Sequence, residues 1–135
     1  MNIRHAKARG QWAELCFMTR ATELGFIVTK PWGDMAPFDL APFDLALEHH
    51  GHFARVQVKC TIFHRGRSYK CHLDSNGVPY RPTQIDFFAA YVIPTNTWYL
   101  LPLKATHNQP DILLTPHSKN AKYEKYKEAW HLLKR

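Results

Sequence analysis

Residues 34–50 read DMAPFDLAPFDLALEHH, in which the five residues A-P-F-D-L occur twice in succession, so two aspartates, Asp39 and Asp44, sit in identical local surroundings. Downstream of both lies a Gln-x-Lys pattern, Gln57 and Lys59. Carboxylate and amide oxygens are hard ligands suited to a small divalent cation, and an ammonium beside them stabilises an anion without competing for that cation. Such a set suits chemistry at a phosphate, provided that one aspartate is brought next to Gln57 and Lys59.

The element carrying them decides which. The runs FDLALEH and FARVQVKCT alternate apolar and polar residues and are separated by His50-Gly51, a two-residue hairpin signal. If that pair is the turn, His49 faces His52, and matching the strands step by step places Asp44 opposite Gln57. Directly opposed residues share a face with Cβ atoms about 4.5–5.5 Å apart. Lys59, two positions beyond Gln57, points to that face too, while Phe43, Leu45, Val56 and Val58 point away. Asp39 lies an odd number of residues before Asp44, which inverts its face in a continuous strand, and Pro42 removes a ladder donor. Asp44 is therefore the candidate, and Asp39 is read as a loop residue. A plainer reading treats Asp44 as a solvated strand cap and Gln57-x-Lys59 as a polar face. The surroundings weigh against it: residues 49–73 hold five Lys/Arg, five His and no carboxylate.

Composition sets the frame. A chain of 135 residues is expected to form one domain, residues 1–135, burying roughly two-thirds of its unfolded surface. Its net charge of +7 and sequence pI near 9.5 suit a phosphate-rich partner. Three cysteines, Cys16, Cys60 and Cys71, without CxxC spacing argue against a disulfide framework and fit a reducing cytoplasm. The longest apolar run, residues 87–93, is far shorter than the ~20 residues that span a bilayer, and the basic start MNIRHAKARG lacks a signal-peptide core. A soluble, intracellular protein with no membrane partner is the expectation.

The elements read in order as helix, mostly strands, helix. In QWAELCFMTRATELG, Trp12, Leu15, Cys16 and Thr19 form one stripe with Ala13, Phe17, Ala21 and Leu24 beside it, and Gly25 closes the helix. FIVTK is a strand stopped by Pro31, and the proline-rich stretch after it is loop. TIFHRGRSYKCHL is expected to bend at Arg65-Gly66-Arg67 into a basic β-ribbon, followed by the turn-rich DSNGVPYRP. FFAAYVIP and TWYLLPL are strands, and the tail spaces Tyr123, Tyr126, Trp130 and Leu133 as one helical face. Cys60, His64, Cys71 and His72 are too unevenly spaced for a zinc site, and the HHGH cluster reads as turn residues.

The chain resembles the PD-(D/E)-x-K endonucleases, in particular the type encoded by cyanobacterial group I introns. The resemblance runs over nearly the whole chain, through GQWAELCFM, KPWGDMAPFDLAL, RVQVKCT, DFFAAYVIP, TWYLLP and KYEKYKEAW. It implies an α/β (α+β mixed) restriction-endonuclease-like core: a central mixed sheet, flanking N- and C-terminal helices and a DNA-binding β-ribbon. The family pattern places an acidic residue on the first helix, the aspartate of P-[FY]-D and Q-x-K thirteen residues later, corresponding to Glu14, Asp44, Gln57 and Lys59 as catalytic residues. The spacing is kept from Asp44, so the second A-P-F-D-L copy looks like a small duplication in the loop before the hairpin.

The resemblance further implies an activity: Mg²⁺-dependent, site-specific cleavage of double-stranded DNA. Glu14, Asp44, Gln57 and the Val58 carbonyl would hold one or two metal ions, with Mn²⁺ or Ca²⁺ able to substitute for binding. Lys59 would orient the attacking water or stabilise transition-state charge. Gln57 stands where the wider superfamily has Asp or Glu. Arg55, Arg65, Arg67, Ser68, Tyr69, Lys70 and Arg81 are the expected DNA contacts, the ribbon fitting the major groove. A homo-oligomer, dimer or tetramer, in the nucleoid of a bacterial cytoplasm completes the picture. Two other readings stay open: a catalytically silent DNA-binding module of the same fold, and a junction-resolving or repair nuclease.

Overall fold

The computed structural model describes residues 1–31 and 43–134, so Asp39, Pro42 and the first A-P-F-D-L copy lie outside the described residues. The chain opens with helix α1 (Ala6–Glu23) and strand β1 (Ile27–Thr29). The hairpin strands β2 (Leu45–His49) and β3 (His52–Thr61) follow, then a short ribbon of β4 (His64–Arg65) and β5 (Ser68–His72). Strands β6 (Phe87–Val92), β7 (Thr97–Pro102) and β8 (Asp111–Leu114) complete the strand set. Five strands form a sheet in the order β1-β2-β3-β6-β7, antiparallel throughout except where β3 runs parallel to β6. A second, antiparallel sheet has the order β4-β5-β8. The mixed central sheet behind an N-terminal helix is the class that the sequence predicts.

Period-two alternation gives the central sheet two different faces. Leu45, Leu47, Ala54, Val56, Val58, Ala89, Tyr91, Trp98 and Leu100 pack toward α1, whose own buried row is Ala13, Phe17 and Ala21. Phe17 stacks on Trp130 with ring centroids 5.4 Å apart and meets Trp98 edge-on at 5.3 Å. Phe88, Ala90, Val92, Tyr99 and Leu101 point the other way, against Tyr69, Cys71, Ile112 and Leu114 of the second sheet. Burial there raises the Cys71 thiol pKa to about 12. The second sheet covers only part of that face: Ile27 is 61% exposed and Phe53 69%, both toward β1 and the start of β3.

Three features differ from the sequence expectation. On α1 the row one step round from the Trp12–Thr19 stripe carries the core, and Leu15 is 61% exposed. The C-terminal helix is replaced by two 3₁₀ turns, Glu124–Tyr126 and Trp130–Lys134. Between them Lys127 is extended and Glu128 takes a left-handed φ of 51°. Tertiary contacts override the helical spacing here: Trp98 N–H and Trp130 Nε1–H donate to the Glu128 carboxylate at 2.7 and 2.9 Å, and Lys127 bridges to Tyr99 on strand β7. That bridge pairs part of an otherwise open sheet edge. Third, β8 goes unassigned from sequence, although its apolar run between Pro110 and Pro116 is a strand signal.

The parallel β3–β6 pair is held at its mouth by Arg55. Its backbone N–H and Nε–H donate to Asp86 Oδ2 at 2.8 and 3.1 Å, and Nη2 reaches Asp86 Oδ1 at 2.9 Å. Nη1 and Nη2 also donate to the carbonyls of Thr83 and Pro82, at 2.5 and 3.0 Å. The Arg55 guanidinium in turn holds the Asp86 carboxyl below its ordinary pKa. Arg55→Met keeps the backbone bond and removes the guanidinium bonds from a partly exposed site, so stability should fall by about 1–2 kcal/mol. Urea unfolding at neutral pH measures it.

Candidate active site

The hairpin closes at His50-Gly51, both left-handed with φ of 50° and 82°, the conformation of a type I′ turn. The register runs Leu45↔Val56 to His49↔His52, as the turn alone predicts. Just before β2 starts, the Asp44 N–H donates to the Val56 carbonyl at 3.0 Å. Beyond that point the Asp44 side chain takes over from the backbone: its Oδ2 accepts from the Val58 N–H at 2.9 Å and from Gln57 Nε2 at 2.9 Å. Asp44 and Gln57 are thus joined. Strand alternation puts the Val58 carbonyl on the same edge as that of Val56, beyond the start of β2.

Lys59 extends from the same strand face. Its Nζ lies 3.4 Å from the Asp74 carbonyl and 5.4 Å from the centroid of the Tyr80 ring. Glu14 comes from α1 and forms a 3.6 Å ion pair with Lys30, which follows β1. Helix and hairpin meet here closely enough for the Asp44 charge to act on Glu14. Lys30 is a member of this cluster that the sequence spacing does not single out.

Burial dominates the electrostatics of this cluster. Burial pushes the Asp44 carboxyl above its ordinary pKa even though the Val58 N–H, Lys59, Gln57 and Lys30 all act to lower it. Burial likewise raises Glu14, and the neighbouring Asp44 raises it further against the pull of Lys30. Lys59 is held below the ordinary lysine range by burial, with Asp44 opposing. Two desolvated carboxylates that resist ionisation together suit a divalent cation, and the donors at hand are hard oxygens. Glu14, Asp44, the Gln57 amide oxygen and the Val58 carbonyl are the hard-oxygen groups that would hold such a cation, the Gln57 Nε2–H being the atom engaged with Asp44. Among the described residues no group of three or more His, Cys, Asp or Glu side chains is gathered for a metal, so an amide and a carbonyl must complete any such site.

A family model described as PD-(D/E)XK endonuclease matches residues 4–133. The chain belongs to the PD-(D/E)XK endonuclease family. Among solved structures this endonuclease is similar to a bacterial homing endonuclease, I-Ssp6803I, with a TM-score of 0.78 and 26% identity over 96% of this chain and 91% of that one. No curated protein matches.

The expected DNA contacts of this PD-(D/E)XK endonuclease divide into two groups. Arg65, Arg67 and Lys70 are exposed on the β4–β5 ribbon, and Arg81 is exposed on the loop before β6. Lys70 also pairs with Asp111 at 3.7 Å. Arg55 and Tyr69 have other tasks. The Arg55 guanidinium is clamped to Asp86 and two loop carbonyls, and Tyr69 is 5% exposed within the core beneath the second sheet. A strand of period two cannot present Tyr69 on the same side as Ser68 and Lys70, which the sequence expectation had grouped with it. The Ser68 hydroxyl is engaged with that of Thr115 at 2.7 Å.

A raised carboxyl pKa in the fold means that the native state holds its proton more tightly than the unfolded chain. Asp44 and Glu14 therefore lower stability as pH rises from the ordinary carboxylate range through their native values, whereas Asp86 and Asp111, both held low, have the opposite sign. Without metal at neutral pH, Asp44→Asn should unfold at a temperature equal to or above that of the parent. Mg²⁺ at ten times its Kd should stabilise the parent by about 1.4 kcal/mol and the variant far less. Calorimetry with and without Mg²⁺ checks both.

Proposed function

We propose that this protein is a Mg²⁺-dependent endonuclease that hydrolyses phosphodiester bonds of double-stranded DNA at specific sites. The observation that carries the reading is the joining of Asp44 and Gln57 by hydrogen bond, with Lys59 on the same strand face and Glu14 electrostatically coupled from α1. Carboxylates, an amide and a lysine are gathered where β2 begins, flanked by a ribbon that presents Arg65 and Arg67 to solvent.

In this reading Glu14, Asp44, Gln57 and the Val58 carbonyl hold one or two Mg²⁺ ions, for which Mn²⁺ or Ca²⁺ can substitute in binding. The bound metal supplies Lewis-acid polarisation of the scissile phosphate. Attack of water on phosphorus forms one P–O bond as another breaks, and negative charge grows on the phosphoryl and leaving oxygens. Lys59 stabilises that charge from a partly desolvated position, where a fixed ammonium acts more strongly than in bulk water. Arg65, Arg67, Lys70 and Arg81 engage the duplex, chiefly at phosphates. Assembly into a dimer or tetramer would bring paired sites to the two strands of one target. The setting is the bacterial nucleoid.

Incubating the protein with a pooled duplex library and Mg²⁺, then sequencing the cut ends, tests the reading. Recurrent ends that disappear with EDTA and in Lys59→Ala are expected, with Lys59→Ala still binding DNA within about tenfold of the parent. Random ends would remove site specificity, and binding without any cutting would leave a DNA-binding module. The contact assignment has its own measurement. Substituting both Arg65 and Arg67 by Gln should reduce the slope of log K against log salt by about 1–2, whereas Arg55→Met should leave it unchanged.

A further inference from the structure

The segment after β5 has no part in the chemistry assigned so far, yet it ends on Lys59. Residues 74–80 form a tight loop: Ser75 and Val78 exchange both backbone hydrogen bonds, at 3.0 and 2.9 Å, around Asn76 and Gly77, whose φ values of 51° and 81° are those of a type I′ turn. The loop is pinned at its start. Leu73 N–H donates to the Pro110 carbonyl at 2.8 Å, and Asp74, 9% exposed, has its Oδ1 2.5 Å from His72 Nε2. It is pinned at its end as well, because the Tyr80 ring meets Phe88 edge-on at 5.6 Å with an interplanar angle of 80°. Phe88 is 2% exposed and is the β6 neighbour of Gln57 in the parallel register. Both ends of this loop face one atom, the Lys59 ammonium, which has the Asp74 carbonyl at 3.4 Å and the Tyr80 ring centroid at 5.4 Å.

We propose that Tyr80 is a positioning residue for Lys59: with the Asp74 carbonyl it forms a two-sided clamp that holds the ammonium in the orientation used at the phosphate. The proposal rests on the endonuclease reading for its catalytic consequence, while the contact itself stands without it. A lysine has four flexible side-chain carbons and loses rotamer freedom when ordered, so an unclamped Lys59 would spend less time aimed at the reacting centre. An aromatic face attracts an ammonium electrostatically, more strongly where water is partly excluded, and leaves its three N–H donors free to point elsewhere. A carbonyl on one side and a ring on the other hold the group without neutralising it. Asp44 can then remain available to the metal.

The test uses the full chain and a duplex containing a cut site recovered from the library. Tyr80→Leu should slow single-turnover cleavage about tenfold or more while DNA affinity, measured with Ca²⁺ in place of Mg²⁺, stays within about threefold. Tyr80→Phe and Tyr80→Trp, which keep a ring face, should restore the rate to within about threefold of the parent. Parent-like cleavage by Tyr80→Leu, or equal losses in rate and affinity, would overturn the positioning role. Thermal unfolding without metal gives a second readout. Tyr80→Leu should lower Tm by about 3 °C more in the parent than in a Lys59→Met background, because only the parent has an ammonium to lose. An equal drop in both backgrounds overturns the contact. If the parent cuts no duplex, the endonuclease reading fails and the catalytic role with it, whereas the unfolding cycle still decides the contact.

Discussion

The type I′ turn at His50-Gly51 sets the phase of β2 against β3, and that phase determines which side chains can share a cation. A strand has a side-chain period of two, so a slip of one residue would exchange the faces, sending Asp44 toward α1 and Leu45 toward solvent. The apolar positions make such a slip costly. Leu45, Leu47 and Val56 are all fully buried against the helix, and moving them outward would expose the centre of the larger core. The turn and the core therefore specify the same register independently. Asp44 reinforces it where β2 begins, because its carboxylate accepts the Val58 N–H.

This arrangement places charge where the fold alone would not. Asp44 and Glu14 are withdrawn from water, and the two lysines nearby leave both carboxyl groups above their ordinary pKa. A protein selected only for stability would put neutral or apolar groups in these positions. Retaining two repelling carboxylates beside a half-buried lysine reduces stability, a cost typical of functional sites. The Arg55–Asp86 clamp shows the contrasting case, in which a charge pair is satisfied internally and Asp86 titrates low.

Much of this was legible in the sequence, for identifiable reasons. The hairpin register follows from a two-residue turn and alternation, both local, and the central mixed sheet follows from the family resemblance. Three elements were not legible. The row of α1 that is buried depends on where Trp98 and Trp130 sit, which the helix sequence does not contain. The spacing of Tyr123, Tyr126, Trp130 and Leu133 is helical, yet Glu128 is drawn to the Trp98 backbone and breaks the helix. The burial of Tyr69 depends on β8, a four-residue strand between prolines. In the candidate site, Asp44, Gln57 and Lys59 could be placed by counting along two strands. Lys30 reaches the cluster from the end of β1, and Asp74 and Tyr80 from the loop after β5, and no spacing within one strand pair brings them together.

The account stands or falls on the choice between two aspartates with the same neighbours, Asp39 and Asp44. Among the described residues, Asp44 is the aspartate that meets Gln57, next to a register that both the turn and the core require. The decisive measurement is Mg²⁺-dependent cleavage by Asp44→Asn and Asp39→Asn side by side, on the same duplex, with folding checked by thermal melts. The account predicts that Asp44→Asn folds and does not cut, while Asp39→Asn cuts at close to the parent rate. Loss of cleavage in Asp39→Asn with activity retained in Asp44→Asn would contradict it, and would mean that the first A-P-F-D-L copy supplies the catalytic carboxylate.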